Sequence, residues 1–389
     1  MNKIYFSYLK NRFPNLPDFS SELISEKLIS PYTLTLPKEI LEQAKLIVKQ
    51  LYSLRENSEF YQSIYNSLPT VAQFDPGNKS ICMSYDFHID SSGNLKLIEI
   101  NTNASFLLMG YFLYLCKNLP LPVSDFDLEE IKQNLLDESQ LSGKLLKNIA
   151  ITDESPKKQR LYIEFLLYEQ LFEEFGFTTR IADIGDFQLL NNSLYLENSK
   201  IDFIYNRSTD FYFEELQSKI LNYSFSNGLA TISPNPHEYA LLADKQRLID
   251  WSLAVGDKVC PFTELLPIKD YLLKTDFLTR ENSSDLWGNR KKLFFKPLTS
   301  FGSKGTFRGD GISRTYFEPL IDKKYLAQEF CPPPKRLFET DGVESSNFKY
   351  DLRFYAYRDR IQLAIARLYQ GQVTNLQSSL GGFSPIVFK

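Results

Sequence analysis

The chain has 389 residues, 43% of them hydrophobic and 24% charged, with a formal net charge of −4. That length supports two or three compact units and a core that needs no disulfide or metal staple, and the near-neutral charge gives no ground for a nucleic-acid partner. Two histidines, and four cysteines in no CxxC pair, leave almost no room for serine–histidine, cysteine–histidine, zinc or disulfide chemistry, so any reaction must run on carboxylates, amides, lysines and arginines.

The opening MNKIYFSYLKNRFP has neither a long apolar core nor a small-residue cleavage site, and the longest apolar run, FLLMGYFLYL at 106–115, is about half a bilayer span. The expected setting is cytoplasmic, with no membrane partner. Residues 1–80 read as a helical region, with an amphipathic helix within 38–68 marked by Ile40, Leu41, Ala44, Ile47, Val48 and Leu51. Over 81–124, strand-like runs at 81–90 and 94–101 flank the turn Asp90-Ser91-Ser92-Gly93, and a buried helix at 106–117 follows. Over 125–232, helical segments at 128–148 and from Ser155-Pro156 to Gly176, then β-like stretches near 177–184, 193–197 and 201–205, predict a small α/β unit. Over 233–389, a helix through about 238–253 precedes strands at 293–297, 324–330, 350–358 and 361–369 and a loop-like tail.

Four stretches offer chemistry. In LKLIEIN, alternation puts Leu95, Leu97, Glu99 and Asn101 on one face, and a four-residue hairpin pairs 86 with 97 and 84 with 99. Asp86 then lies one diagonal step from Glu99, and two carboxylates with an amide oxygen form a hard set suited to Mg²⁺, or simply a wet strand end. In LFFKPLTSFGSKGTFRGDG a strand delivers Lys296 into a loop with Ser300, Gly302, Ser303, Lys304 and Gly305, whose small residues let backbone N–H groups approach phosphate. The spacing is neither a Walker A loop nor GxGxxG, and a plain hairpin loop fits as well. YLAQEFCPPP ends a strand in Gln328 and Glu329, a hinge for a base and a ribose or an ordinary strand terminus. In YDLRFYAYRDRIQLAIARLYQG, Arg353 and Arg367 sit on two alternating strands, available for bidentate contact with phosphate or carboxylate, or merely solvated.

Taken in order, these segments resemble the ATP-grasp superfamily, and within it the circularly permuted branch that includes eukaryotic glutathione synthetase and bacterial glutathionylspermidine synthetase. MSYDFHIDSSGNLKLIEINTNASF at 83–106 carries most of the likeness: a D…E-x-N triplet, Asp86, Glu99 and Asn101, placed before the glycine loop instead of after it. The resemblance covers about 81–117 and 235–389. It implies an α+β ATP-grasp fold in permuted order with an additional α/β substrate or lid unit. It implies ATP and Mg²⁺ as cofactors, metal ligation by Asp86, Glu99 and Asn101, and nucleotide contacts from Lys245, Lys296, the 300–305 loop, Gln328 and Glu329.

The implied reaction phosphorylates a carboxylate with ATP and lets an amine attack the acyl phosphate, releasing ADP and phosphate. Small-molecule or peptide carboxylates and amines are the implied partners, and a homodimer is the implied assembly. Two other readings stay open: an ATP-grasp phosphotransferase, and a non-catalytic nucleotide-binding or interaction protein. One departure bears on the choice. The related synthetases carry an arginine two residues before the first metal aspartate, where this chain has Ser84. Either Arg207, Arg353 or Arg367 covers that charge, or the reaction differs.

Overall fold

The structure is a computed structural model that describes residues 1–18, 20, 23–298, 305–340 and 343–389. The chain first builds part of one sheet: β1 (Leu34–Leu36), then the hairpin β2 (Met83–Ile89) and β3 (Leu95–Asn101). Asp90 organises the turn, its carboxylate accepting from the N–H groups of Ser92 and Asn94, while Gly93 takes the φ of +83° that a side chain resists.

The chain then leaves that sheet. It forms β4 (Asn148–Asp153), β5 (Thr178–Asp183), the antiparallel trio β6 (Phe187–Leu190), β7 (Ser193–Leu196) and β8 (Ser199–Lys200), and then β9 (Phe203–Asn206) and β10 (Thr231–Ser233). Strands β10, β9, β4 and β5 pair in that order, all parallel. A third sheet follows from β11 (Thr275–Phe277), β12 (Leu293–Pro297), β13 (Phe307–Arg308) and β14 (Tyr325–Glu329), antiparallel in the order β11-β14-β12-β13. Finally β15 (Lys335–Thr340), β16 (Val343–Tyr357), β17 (Arg360–Tyr369) and β18 (Gly382–Phe388) return to the first sheet. Its order is β1-β18-β17-β16-β2-β3, with β15 on the free half of β16.

Helices cover both faces of this main sheet. Leu41, Val48 and Leu51 of helix Lys38–Glu56 and Trp251 of helix Gln246–Gly256 pack with Tyr85, Leu352 and Phe354 on one side. Phe112 and Leu113 of helix Leu107–Cys116 and Phe165 of helix Tyr162–Glu174 pack with Tyr355, Leu363 and Ile365 on the other. Burying each such side chain is worth about 1.5–3 kcal/mol, and these two layers hold the fold while all four cysteines stay unpaired. Among the described residues no helix is long and apolar enough to cross a membrane.

Local differences from the sequence reading have local causes. Asn57 splits the 38–68 helix by accepting from the N–H groups of Glu59 and Phe60 and so capping a second helix, Ser58–Tyr65. The helix expected at 128–148 ends at Leu141, just before Gly143 with φ +69°. Residues Tyr239–Ala243 form a π-helical turn, and the α-helix begins only at Gln246. The tail contains a strand where a loop was expected, because β1 and β17 supply the pairing that GFSPIVF, interrupted by Pro385, does not signal alone.

Candidate active site

The hairpin β2–β3 is not regular. Phe87 pairs with Leu97, but Asp86 pairs with Glu99, Tyr85 with Ile100 and Ser84 with Asn101, so Ile98 is an inserted residue. This corrects the expected pairing of 86 with 97 and 84 with 99. The bulge reverses the alternation along β3. Leu95, Leu97 and Ile100 lie in the core against helix Lys38–Glu56, whereas Glu99 and Asn101 turn to the other side with Asp86. Leu95, Leu97, Glu99 and Asn101 therefore do not share a face. The Ile98 carbonyl, at the bulge, accepts from Lys296 Nζ at 3.0 Å.

A cavity of about 390 Å³ opens over this side of the hairpin. The main sheet contributes Asp86, Glu99, Asn101, Arg353 and Arg367, the third sheet contributes Lys296, Gln328 and Glu329, and Lys245 enters from the start of helix Gln246–Gly256. Among the described residues, no group of three or more His, Cys, Asp or Glu side chains is arranged to hold a metal ion.

Asp86 is buried, and both of its oxygens are engaged. Arg353 Nε donates to Oδ1 at 2.8 Å and its Nη2 to Oδ2 at 2.7 Å, while Arg367 Nη2 donates to Oδ2 at 2.8 Å. Strand register explains the approach, since Arg353 is the direct cross-strand partner of Asp86 and Arg367 that of Asp351. Arg367 grips Asp351 through Nε at 2.7 Å and Nη2 at 3.0 Å. Burial alone raises the Asp86 carboxyl, but the two guanidinium groups outweigh it and hold the group below the usual carboxylate range. Asn101 Nδ2 stands 3.4 Å from Asp86 Oδ2. Ser84 lies opposite Asn101, fully buried, with its Oγ unpaired among the described residues.

Lys296 is buried, which lowers its amine to about 8 against the opposing pull of Glu99. Gln328 is 2% exposed and lines the cavity with its Nε2 buried and without a partner among the described residues. Its cross-strand neighbour Phe294 and the next aromatic, Phe330, form a stacked pair at 6.3 Å, and Arg308 lies 4.4 Å over Phe330. Gly305 has φ +71° and its carbonyl accepts from Tyr325 Oη at 3.0 Å. Ser300, Gly302, Ser303 and Lys304 fall outside the described residues.

Arg207 is not among the residues that line the cavity. It is buried behind the wall, donating through Nη1 to the Ala104 carbonyl at 2.9 Å and to Tyr205 Oη at 3.1 Å, and through Nη2 to Ser105 Oγ at 2.5 Å. Ser105 does line the cavity, so Arg207 acts on it through the turn that follows Asn101. Sequence reasoning also passed over Arg160. Its cluster with Lys157 and Lys158 reads as a solvated face, yet Arg160 reaches the cavity and donates from Nη2 to the Leu376 carbonyl at 2.6 Å. Nothing in the local sequence signals this, because the contact spans 216 positions.

A nucleotide could be met by this donor set: the Lys245 and Lys296 amines are of the kind that can face phosphate, and Gln328 Nε2, without a partner among the described residues, could donate to a base. For a divalent ion, Glu99 and Asn101 offer oxygens to the cavity, while those of Asp86 are already taken by guanidinium groups.

No protein-family model and no curated protein matches the chain. Among solved structures, a putative gamma-glutamylcysteine synthetase from Methylobacillus flagellatus KT is 13% identical, with a TM-score of 0.48 over 89% of this chain and 86% of that one. A glutathione synthetase like-effector, GSS30, from Globodera pallida in apo form is 14% identical, with a TM-score of 0.59 over 100% of this chain and 96% of that one. At that identity the likeness establishes the fold alone, and the chain has an α+β, ATP-grasp-like fold of the glutathione synthetase-like kind, with an additional α/β unit.

Proposed function

We propose that the protein is an ATP-dependent carboxylate–amine ligase that works through an acyl phosphate. One observation carries this reading: a bulged strand brings Glu99 and Asn101, a separate sheet brings Lys296, and two returning strands bring Arg353 and Arg367, all onto one cavity. Lys245 and Lys296 neutralise the nucleotide phosphates, Gln328 and Glu329 meet the base and the ribose, and Glu99 and Asn101 hold the cation. When bound, Mg²⁺ supplies charge neutralisation between the phosphates. Arg353 and Arg367 offer planar N–H donors to the oxyanion that develops on the phosphorylated carboxylate. Arg207 keeps Ser105 in place at the cavity edge. These residues position and screen the reactants and form no covalent bond to them, which suits a chain with two histidines.

The phosphotransferase and the non-catalytic readings share the nucleotide end of this cavity. A stable phosphoryl product made without an amine would mark the first, and binding without turnover the second. Titration calorimetry with ATP and Mg²⁺ tests the nucleotide end. Glu99→Ala is expected to lose about 100-fold in ADP release while keeping the fold. Unchanged release in that variant would contradict the assignment.

A further inference from the structure

We propose that Asp86 is a positioning residue, holding the guanidinium groups of Arg353 and Arg367 at the cavity wall, and that the divalent-cation site is built on Glu99 and Asn101 without it. The cation half of this inference rests on the nucleotide reading above; the arginine half stands on geometry alone.

The two cavity-side carboxylates of the hairpin, Asp86 and Glu99, live in opposite circumstances. Asp86 is 1% exposed and accepts three hydrogen bonds of 2.7–2.8 Å from two cations. Glu99, its direct cross-strand partner, lines the cavity and forms no hydrogen bond or ion pair with a described residue. A divalent ion at Asp86 would have to displace a guanidinium and then sit beside the remaining one. At Glu99 it meets a carboxylate whose oxygens accept no hydrogen bond from a described residue, with the Asn101 amide two residues on.

The arginines are held from both sides. Asp86 takes Nε and Nη2 of Arg353 and one hydrogen of Arg367 Nη2, while Asp351 takes Nε and Nη2 of Arg367. Asp351 is fixed in turn by Thr374 Oγ1, which donates to its Oδ2 at 2.5 Å. Nη1 of each arginine makes no hydrogen bond to a described residue, and both side chains line the cavity. Two buried carboxylates against two guanidiniums leave the cluster without net charge. Its hold on a carboxylate or phosphoryl oxygen therefore comes from aimed N–H donors and not from excess positive charge.

Two readouts test this on the full-length protein. Electron paramagnetic resonance titration measures Mn²⁺ binding in the presence of the ATP analogue AMPPNP. Nitrogen-15 NMR of the nucleotide-free protein follows exchange of the arginine Nε–H groups. For Asp86→Asn the Mn²⁺ affinity is expected to stay within about threefold of wild type while the Arg353 Nε–H exchanges faster, and Glu99→Gln is expected to lose at least about tenfold in Mn²⁺ affinity. Loss of Mn²⁺ binding in Asp86→Asn equal to that in Glu99→Gln, or an unaltered Arg353 signal, would overturn the proposal. Arg353→Gln serves as a second variant should Asp86→Asn not fold. It keeps Asp86 and removes one fork, so Mn²⁺ affinity should hold or rise, and a tenfold fall would count against the proposal. Wild type that binds no Mn²⁺ with AMPPNP would defeat the nucleotide reading and the cation half together, and the exchange measurement would still decide the arginine half.

Discussion

Lys296 is buried, yet it is the cation that β12 aims across to the bulge of β3. With its amine lowered to about 8, the free protein gives up this charge as pH rises past that value, whereas a complex with phosphate beside it retains the proton. Nucleotide affinity should therefore be flat below pH 8 and weaken above it, with proton uptake on binding visible as buffer-dependent heat in calorimetry. Lys296→Met should weaken binding by about 10–100-fold and flatten that profile. A second residue sets a stability profile away from the cavity. Burial lifts the Asp153 carboxyl from 3.8 to about 6. A folded value above the unfolded one means that this contribution to stability is complete below about pH 4 and is lost as pH rises through 6, a penalty of roughly 1–3 kcal/mol at neutral pH. Asp153→Asn is expected to raise the melting temperature at pH 7 and to leave it unchanged at pH 4, as scanning calorimetry at the two pH values would show.

The bulge at Ile98 decides which way β3 presents its polar residues. Deleting Ile98 would place Glu99 directly after Leu97, leaving Glu99 and Asn101 on the cavity face of a regular hairpin while removing the carbonyl that accepts from Lys296 Nζ. Such a protein is expected to keep its urea-unfolding midpoint near that of wild type and to lose about tenfold in nucleotide affinity by calorimetry, because Lys296 loses the acceptor that anchors it. At the far end of the sheet, Gly382 opens β18 with φ +103°, and a Cβ there would stand 2.3 Å from the Leu28 carbonyl oxygen. Gly382→Ala should cost about 2–4 kcal/mol in urea unfolding, since both the backbone angle and the space are wrong for it. These elements also show how far sequence carries. The helix at Leu107–Cys116 and the hairpin around Asp90 are legible because an apolar run and a turn sequence state them locally. The bulge is not, since LKLIEIN reads as unbroken alternation and only packing against helix Lys38–Glu56 on one side and the cavity on the other forces the slip. Strand β18 depends likewise on partners distant in sequence.

At the scale of the whole molecule, one sheet is begun by β1–β3, left for two further units and finished by β15–β18. That detour brings residues near position 90 beside residues near 360 and hangs Lys296 over both. The order of the segments made the ATP-grasp-like fold legible, since each keeps a local signature. The pairing of Asp86 with Arg353 and Arg367 and the reach of Arg160 to Leu376 were not legible, because strand register and unit packing join positions more than 200 apart. The α/β unit of β4, β5, β9 and β10 thus contributes to the cavity through Arg160 directly and through Arg207 indirectly. ADP release by the purified protein with ATP and Mg²⁺, screened over pairs of carboxylate and amine donors, is the most direct measurement of its chemistry. Release that requires both donors, yields an amide and falls about 100-fold in Glu99→Ala is the expected result. ATP turnover that ignores the carboxylate, or that survives Glu99→Ala undiminished, would contradict it.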